Sequence, residues 1–357
     1  MIRINYTMQY TRWRMIMSKA KKAERIEWID IAKAITILIM IAGHTVNFGT
    51  GMRNLIFSFH MPLFYILTGY TIREYRSWKE ICNATKKDFK RIYMPVIYTE
   101  IILVVLKVFL DKQGMAATIK DVFDRIIWAS AVKHNGHPAL GALWFLVVLF
   151  WSKLFYHIIV KMFSEKDAGI VFLFCILLTY FVSNHIWLPQ SWDLVPMVSF
   201  YIYTGSFLAK KKDWVDNNQV AVILISFVFW IFTWSNGIYI EVGVRSFPYL
   251  LVSVFEAVAG SLCIFQLSKS VSQISENMWS KQMKKCMNWI GANTLLILCI
   301  HHLDYFVLRY IHIYDPDNHL CLSVIIRIGI VLVITYLMNT LKQRINHCRK
   351  HIPRICM

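Results

Sequence analysis

The sequence alternates between long apolar windows and short polar connections. A helix needs about 20 predominantly apolar residues to cross a bilayer, and ten windows of suitable length and composition follow one another along the chain. They cover residues 29–48, 52–72, 92–110, 141–162, 168–186, 193–209, 220–235, 247–267, 289–309 and 320–341. This pattern predicts an all-α polytopic membrane protein with about ten transmembrane helices.

Basic residues are concentrated in every second connection, beginning with the N-terminal segment. Because Lys and Arg are retained on the cytoplasmic side of a membrane, this asymmetry predicts that both termini are cytoplasmic. Three regions follow: a basic cytoplasmic arm at 1–28, a ten-helix transmembrane domain at 29–341 and a basic cytoplasmic tail at 342–357. A multi-pass protein in contact with membrane lipid is therefore expected.

The composition agrees with this interpretation, since 57% of the residues are hydrophobic and only 17% are charged. A net charge of +18 is also typical of nucleic-acid-binding proteins. Here, however, the positive residues are spread over the connections instead of forming one patch or domain, so no nucleic-acid partner is expected.

One long connection, between the third and fourth windows, contains an amphipathic segment. Its apolar residues recur at helical spacing, with charged residues between them. The apolar members are Ile119, Val122, Phe123, Ile126 and Ile127. This spacing predicts one helix lying in the outer membrane interface.

The first apolar window carries ionisable residues, which lipid cannot solvate. Lys33 and His44 are eleven residues apart, so on a helix they share nearly one face and lie about 16 Å apart along the axis. A polar stripe of this kind must face protein or a water-filled cavity. The first helix therefore predicts a functional site inside the bundle.

The second window follows almost at once and places His60 about three turns from its start. His44 and His60 are thus expected at similar depth on adjacent helices. Either imidazole alone could be a packed side chain bonded to backbone. Two imidazoles at the same depth favour a functional site.

Two carboxylates, Glu100 and Glu256, also lie within apolar windows. A buried carboxylate needs a partner or must stay neutral. Ion pairing with Lys107, Lys153 or Arg327 and a functional role are both consistent with the sequence.

The ninth window ends in two adjacent histidines, His301 and His302. They point about 100° apart on a helix, so at most one is expected to face a given cavity. The histidines of the chain lie on different windows, and the eight cysteines have no metal-type spacing. Neither a metal site nor a disulfide framework is predicted.

The connection from residue 73 to residue 91 is strongly basic and includes Arg73, Lys90 and Arg91. Its charge is explained by the retention of basic residues on the cytoplasmic side. It would also suit the binding of a polyanionic ligand such as a nucleotide-bearing cofactor. The sequence does not separate these explanations.

Several of these segments together resemble a known family. They read DIAKAITILIMIAGH, FSFHMPLFYILTGY, KRIYMP, ALWFL and GANTLLILCIHH, in this order from Asp30 to His302. The pattern resembles integral-membrane acyltransferase family 3, whose members O-acetylate cell-surface polysaccharides, and within it the fucose 4-O-acetylase-like branch.

The resemblance implies a reaction and a set of residues. In that family the signature of the first helix is an Arg followed, after ten residues, by a catalytic His. Here Lys33 and His44 occupy these two positions. Lysine keeps the positive charge of the arginine but lacks its planar guanidinium. The implied donor is cytosolic acetyl-CoA or another acyl-CoA, and the implied acceptor is a sugar hydroxyl of a cell-surface or lipid-linked glycan. The implied location is a bacterial inner or plasma membrane. Further residues implied around the cavity are His60, Trp144, Phe145, Asn293 and His301.

The chemistry of the residues fits such a transfer. A hydroxyl becomes a good nucleophile when a base takes its proton, and imidazole titrates near neutrality. We expect His44 to act as this base, with His60 or Glu256 orienting it, or to carry the acyl group itself as a covalent intermediate. A continuous path from Lys33 to His44 would admit the pantetheine arm. Its nucleotide end would be held by Lys33, Arg73, Lys90 and Arg91.

Two other functions use the same residues differently. In a transporter or flippase for a lipid-linked saccharide, the intramembrane His, Glu and Lys residues would relay protons or bind substrate. A receptor or scaffold would leave these charges without a role.

Overall fold

The computed structural model describes residues 25–47, 49–75, 77–275 and 277–351, with side chains described up to residue 345. Over these residues the secondary structure is helical, and the β contacts are isolated bridges. The all-α prediction is confirmed. Most of the predicted basic arm and the last six residues of the predicted tail lie outside the described part of the chain.

Fifteen α-helices follow one another in the described residues. They are α1 (Glu27–Gly43), α2 (Gly51–Tyr70), α3 (Trp78–Asp88), α4 (Met94–Leu110), α5 (Met115–Trp128), α6 (Trp144–Met162), α7 (Glu165–Ser183), α8 (Val195–Lys210), α9 (Lys212–Asn217), α10 (Gln219–Ser235), α11 (Leu251–Gln273), α12 (Met278–Ala292), α13 (Thr294–Leu303), α14 (Tyr305–Leu308) and α15 (Leu320–His351). A π-helical turn at Phe89–Tyr93 joins α3 to α4, and 3₁₀ turns lie at Gly141–Leu143, Pro189–Leu194 and Val242–Val244.

Five helical stretches of the described chain are long and apolar enough to cross a membrane. They are Trp78–Leu110, Gly141–Met162, Glu165–Ser183, Leu251–Gln273 and Leu320–Ile345. The bent pair α12 and α13 makes a sixth if it is one span, and α10 is apolar but shorter. The multi-pass membrane class is thus supported, whereas the count of ten spans and the side of the termini stay predictions.

Two regions contain structure that the hydropathy windows do not show. The basic connection 73–91 is largely helical, because Ser77 and Glu80 form a reciprocal capping box that starts α3. A hydropathy window misses this helix because its residues are polar. The ninth predicted span is not one helix: α12 and α13 meet at Asn293 with a bend of 68°.

The bend at Asn293 is stabilised by side-chain hydrogen bonds. Its amide nitrogen donates to the carbonyl oxygen of Trp289 at 2.8 Å, and its amide oxygen accepts from the amide of Asn339 on α15 at 2.9 Å. An asparagine competes well with helical backbone bonds. The break therefore changes the direction of α13 relative to α12.

The helices α1 and α2 lie at the centre of the bundle, where α1 packs on α2, α11 and α12 and α2 packs on α8 and α11. The crossing of α2 and α8 is very close. A Cβ atom on Gly69 or on Gly205 would lie 1.9 Å from a backbone oxygen of the opposite helix. Small residues are what such close contacts between membrane helices require.

The amphipathic segment forms α5, as its spacing predicts. Val122 is buried, whereas Ile119 and Phe123 are exposed. This outward apolar face is suited to a lipid interface. The position of α5 relative to a membrane stays a prediction.

Candidate active site

A cavity of about 320 Å³ lies beside the end of α1. Its lining combines four histidines with two oppositely charged residue pairs, which is unusual inside an apolar bundle. The polar and ionisable lining residues are His44, Arg53, His60, Glu241, His301, His302, Asp304 and Arg327, and Met61 and Trp144 are among the apolar ones. We call this space the histidine cavity.

His44 directly follows the last residue of α1 and lines the cavity as an accessible side chain. Its backbone N–H donates to the carbonyl oxygen of Met40 at 3.0 Å, which continues the helical turn. The imidazole lies next to Phe57, with ring centroids 5.2 Å apart, and next to His301, with centroids 5.3 Å apart. The predicted catalytic histidine is therefore open to the cavity.

His60 on α2 is only 2% exposed and lines the same cavity. Its Nδ1 lies 3.0 Å from the carbonyl oxygen of Ile56. Because a carbonyl can only accept, Nδ1 carries the proton and Nε2 is left with a lone pair. Within the described residues Nε2 has no hydrogen-bond partner. His44 and His60 are thus brought together, as the sequence predicts.

His301 is bonded to a carboxylate that is itself held by an arginine. Its Nδ1 lies 2.7 Å from Oδ2 of Asp304. Arg327 on α15 donates to both carboxylate oxygens, from Nε at 2.7 Å and from Nη2 at 2.9 Å. Arg327 also donates from Nη1 to the backbone oxygen of His44 at 2.9 Å. One arginine therefore ties α15 to the ends of α13 and α1.

A second ion pair closes another side of the cavity. Arg53 on α2 donates from Nη1 and Nη2 to the two carboxylate oxygens of Glu241, at 3.1 and 3.0 Å. The guanidinium also lies over the ring of Phe57, 3.9 Å from its centroid. Such a two-point contact is geometrically specific. It fixes the connection between α10 and α11 against α2.

The partners expected for Glu100 are wrong. Glu100 is fully buried and its Oε1 lies 2.9 Å from Nε2 of His302. The expected cations pair elsewhere: Lys107 with Asp121 at 2.9 Å, Lys153 with Asp88 at 2.7 Å, and Arg327 with Asp304. Sequence order does not reveal these pairs, since most of them join different helices.

His301 and His302 both line the histidine cavity, whereas the sequence predicts that at most one would face it. Both histidines lie in the last turn of α13, which ends at Leu303. Two directions about 100° apart are therefore both open to the cavity.

Glu256 on α11 is fully buried but is not among the residues that line the histidine cavity. The three cations expected as its partners pair with other carboxylates among the described residues. The structure therefore gives no support for Glu256 as the group that orients His44. Carboxylates at the cavity come from Glu241 and Asp304 instead.

Lys33 lies in a second cavity of about 150 Å³, which we call the lysine cavity. Its lining residues are Lys33, Ile37, Met40, Met61, Phe64, Thr68, Phe145, Leu146, Leu149, Thr294, Leu295 and Leu298. The Lys33 ammonium is 3.8 Å from Oδ1 of Asp30. Met61 belongs to both cavities.

The structure has two cavities that share Met61 of α2 as a lining residue, and it gives no support for one continuous path from Lys33 to His44. The other residues expected to bind the donor, Arg73, Lys90 and Arg91, are exposed and line neither cavity.

The remaining predicted cavity residues lie at the histidine cavity, at the lysine cavity and at the bend between α12 and α13. Trp144 lines the histidine cavity and Phe145 lines the lysine cavity. Asn293 forms the bend that aims α13. In the described part of the chain, no group of three or more His, Cys, Asp or Glu residues is placed to hold a metal ion.

Four residues that line the cavity were not assigned to it from the sequence: Arg53, Glu241, Asp304 and Arg327. Arg53 and Arg327 lie within apolar windows, and this is a signal that could have drawn attention to them. Asp304 stands three residues after His301, on the same side of a helix. Glu241 lies in a polar connection, where a carboxylate gives no signal at all.

The protein has helices long enough to span a bilayer and an internal cavity lined by ionisable groups. These features define a multi-pass membrane protein with a candidate active site. The sequence model of the acyltransferase domain of acyltransferase family 3 matches residues 26–340. The chain therefore belongs to this family of membrane acyltransferases. Comparison with curated proteins and with solved structures gave no match. The polysaccharide and fucose 4-O-acetylase-like branch stays a prediction.

Proposed function

We propose that this acyltransferase moves an acetyl or other acyl group from cytosolic acyl-CoA to a sugar hydroxyl of a cell-surface or lipid-linked glycan in a bacterial membrane. One observation carries the proposal. His44 and Lys33, eleven residues apart on α1 and its cap, line two cavities that share Met61. A thioester on one side and a hydroxyl on the other could meet there.

In the proposed reaction His44 is the general base. It takes the proton of the acceptor hydroxyl while the hydroxyl oxygen attacks the thioester carbonyl carbon. A C–O bond forms and the C–S bond breaks. The sulfur leaves as CoA thiol after receiving a proton from the His44 imidazolium.

The donor is proposed to occupy the lysine cavity with its pantetheine arm. Lys33 supplies a cation there, and the exposed Arg73, Lys90 and Arg91 are proposed to hold the nucleotide phosphates. The arm reaches His44 only if Met61 moves aside. An unbranched methionine side chain adapts its shape easily.

The acceptor is proposed to enter the histidine cavity. Trp144 offers an aromatic face, and the unpaired Nε2 of His60 offers a hydrogen-bond acceptor for a second hydroxyl. Ion pairs on two sides of the cavity keep the polar walls in place.

The test uses the full chain in lipid nanodiscs with radiolabelled acetyl-CoA and a panel of free and lipid-linked saccharides. Acceptor-dependent release of CoA and label in the saccharide are expected. His44→Ala should lower the rate at least about 100-fold. The matched control is His185→Ala, at an exposed histidine bonded to the Phe181 carbonyl. Full transfer by His44→Ala would overturn the proposed role of His44.

A transporter or flippase is the alternative, and one observation favours it. The helix broken at Asn293 is of a kind that transporters use near their substrate sites. Movement of a lipid-linked saccharide across the vesicle membrane without consumption of acyl-CoA would support it.

A further inference from the structure

Four residues from three helical segments form a series that ends at His44. Arg327 holds both oxygens of Asp304, Asp304 accepts from His301, and the ring of His301 lies beside the ring of His44. His301 is 4% exposed and Asp304 is 2% exposed. The His301 and Asp304 side chains are therefore held within the protein, and all four members of the series line the histidine cavity.

The hydrogen bonds determine which nitrogen of His301 carries a proton. Arg327 can only donate, and Asp304 accepts from it at both oxygens. An ionised carboxylate is an acceptor, so the Nδ1 of His301 must be the donor in their 2.7 Å contact. The other ring nitrogen, Nε2, then has a lone pair.

The other neighbours of His44 cannot orient it in the same way. In the described part of the chain, His60 uses its Nδ1 on the backbone oxygen of Ile56 and not on a carboxylate. Glu241 is taken by Arg53, and Glu256 is not a cavity residue. His301 combines a ring adjacent to His44 with a carboxylate on its far side.

We infer that Asp304 and Arg327 are positioning residues, which act through His301 to fix the tautomer of the His44 imidazole. The inference rests on the proposed function. His44 donates its N–H towards Nε2 of His301, and its second nitrogen keeps the lone pair that accepts the hydroxyl proton. This arrangement follows the logic of a base oriented by a third group.

The series also stabilises the charged form of the base. When the acceptor proton moves to His44, the new positive charge lies next to His301 and, through it, near the Asp304 carboxylate. The proton leaves again to the CoA sulfur as the C–S bond breaks, so His301 and Asp304 end the cycle unchanged. The bond from Arg327 to the backbone oxygen of His44 holds the end of α1 in the same frame.

Asp304→Asn tests the inference, because an amide can donate to His301 and reverse its tautomer. We expect kcat to fall between about 10²-fold and 10⁴-fold, with the KM for acetyl-CoA unchanged. Asp304→Glu should restore part of kcat. The matched control is Asp121→Asn, which removes a carboxylate shared by Lys107 and Arg125 outside both cavities, and it should leave kcat unchanged.

A second variant covers the case in which Asp304→Asn does not fold. His301→Ala keeps the pair of Arg327 and Asp304 and should lose kcat to a similar extent, with partial rescue by added imidazole. Folding of each variant is checked by its elution on size exclusion. Folded His301→Ala with kcat near that of the wild type would overturn the relay while His44→Ala remains inactive. If His44→Ala is active as well, the proposed function fails instead.

Discussion

Lys33 and His44 point to the same side of the first helix, yet they line different cavities, and the side chain of Met61 on α2 belongs to both linings. Met61 is 8% exposed, so its side chain is packed inside the protein. The two cavities are therefore adjacent at one flexible side chain. In the proposed reaction this side chain keeps water and acceptor away from the bound thioester until it moves aside.

Substitution of Met61 tests this separation. Met61→Ala should join the cavities and raise CoA release in the absence of acceptor, because water gains access to the thioester. Met61→Phe replaces a flexible side chain by a rigid one and should lower acceptor-dependent transfer. Both rates can be followed by thiol detection. Met162→Ala, at an exposed methionine on α6, is the control. Wild-type behaviour of both Met61 variants would rule out a separating role.

Lys33 permits a test of the donor side. Lys33→Met should raise the KM for acetyl-CoA about tenfold or more, because a charged hydrogen bond contributes about 1.5–3 kcal/mol, with a small change in kcat. Lys33→Arg keeps the charge and adds a two-point donor, so the KM should stay low. Asp30 also pairs with Arg25, so it retains a partner in both variants.

Steady-state kinetics with acetyl-CoA as the varied substrate measure this effect. The control is Lys120→Met, at an exposed lysine on α5. An unchanged KM for Lys33→Met would remove Lys33 from the donor site.

The position of His301 at the cavity came from the family resemblance, whereas the apolar windows predicted the helical class and the joint position of His44 and His60, because burial of charge inside a bundle is costly and leaves few arrangements. They did not predict the break at Asn293. That break depends on a hydrogen bond to Asn339, which lies 46 residues further along the chain. A window of one helix contains no information about such a partner.

The walls of the site were the least predictable part for the same reason. Arg53 and Glu241 are 188 residues apart in sequence, and Glu100 and His302 are 202 apart. Each buried charge is tolerated only because the folded bundle places a hydrogen-bonding partner beside it. The sequence shows that partners must exist but not which ones. Met61 gave no signal, since a methionine in an apolar helix is ordinary.

Close packing of α2 against α8 provides a prediction on stability. Gly205→Ala would place its Cβ 1.9 Å from the backbone oxygen of Ile66, which cannot move without separating the helices. We expect a large loss of folded protein in the membrane fraction and a lower Tm. Gly329→Ala on α15 is the matched control, because its Cβ would meet nothing within 4 Å. Equal yields and Tm values for the two variants would contradict the close crossing.

The pair of Arg53 and Glu241 yields a prediction that separates stability from activity. The Glu241 side chain is 12% exposed and that of Arg53 is 5% exposed, so removal of either partner takes a two-point ionic contact from a nearly buried charge. Breaking such a pair costs about 3–5 kcal/mol, whereas replacing both partners by apolar residues is often neutral. Arg53→Met and Glu241→Met should each lower Tm, and the double variant should recover it.

Activity should not recover with stability in the double variant. The pair lines the histidine cavity, and methionines in both places would replace two polar walls by apolar ones at the position proposed for the saccharide. We therefore expect a raised KM for the acceptor in a stable protein. The four proteins form a double-mutant cycle in Tm and in acceptor KM. A double variant whose loss of Tm equals the sum of the two single losses would show that the two side chains act independently, and full activity of a stable double variant would exclude the pair from acceptor binding.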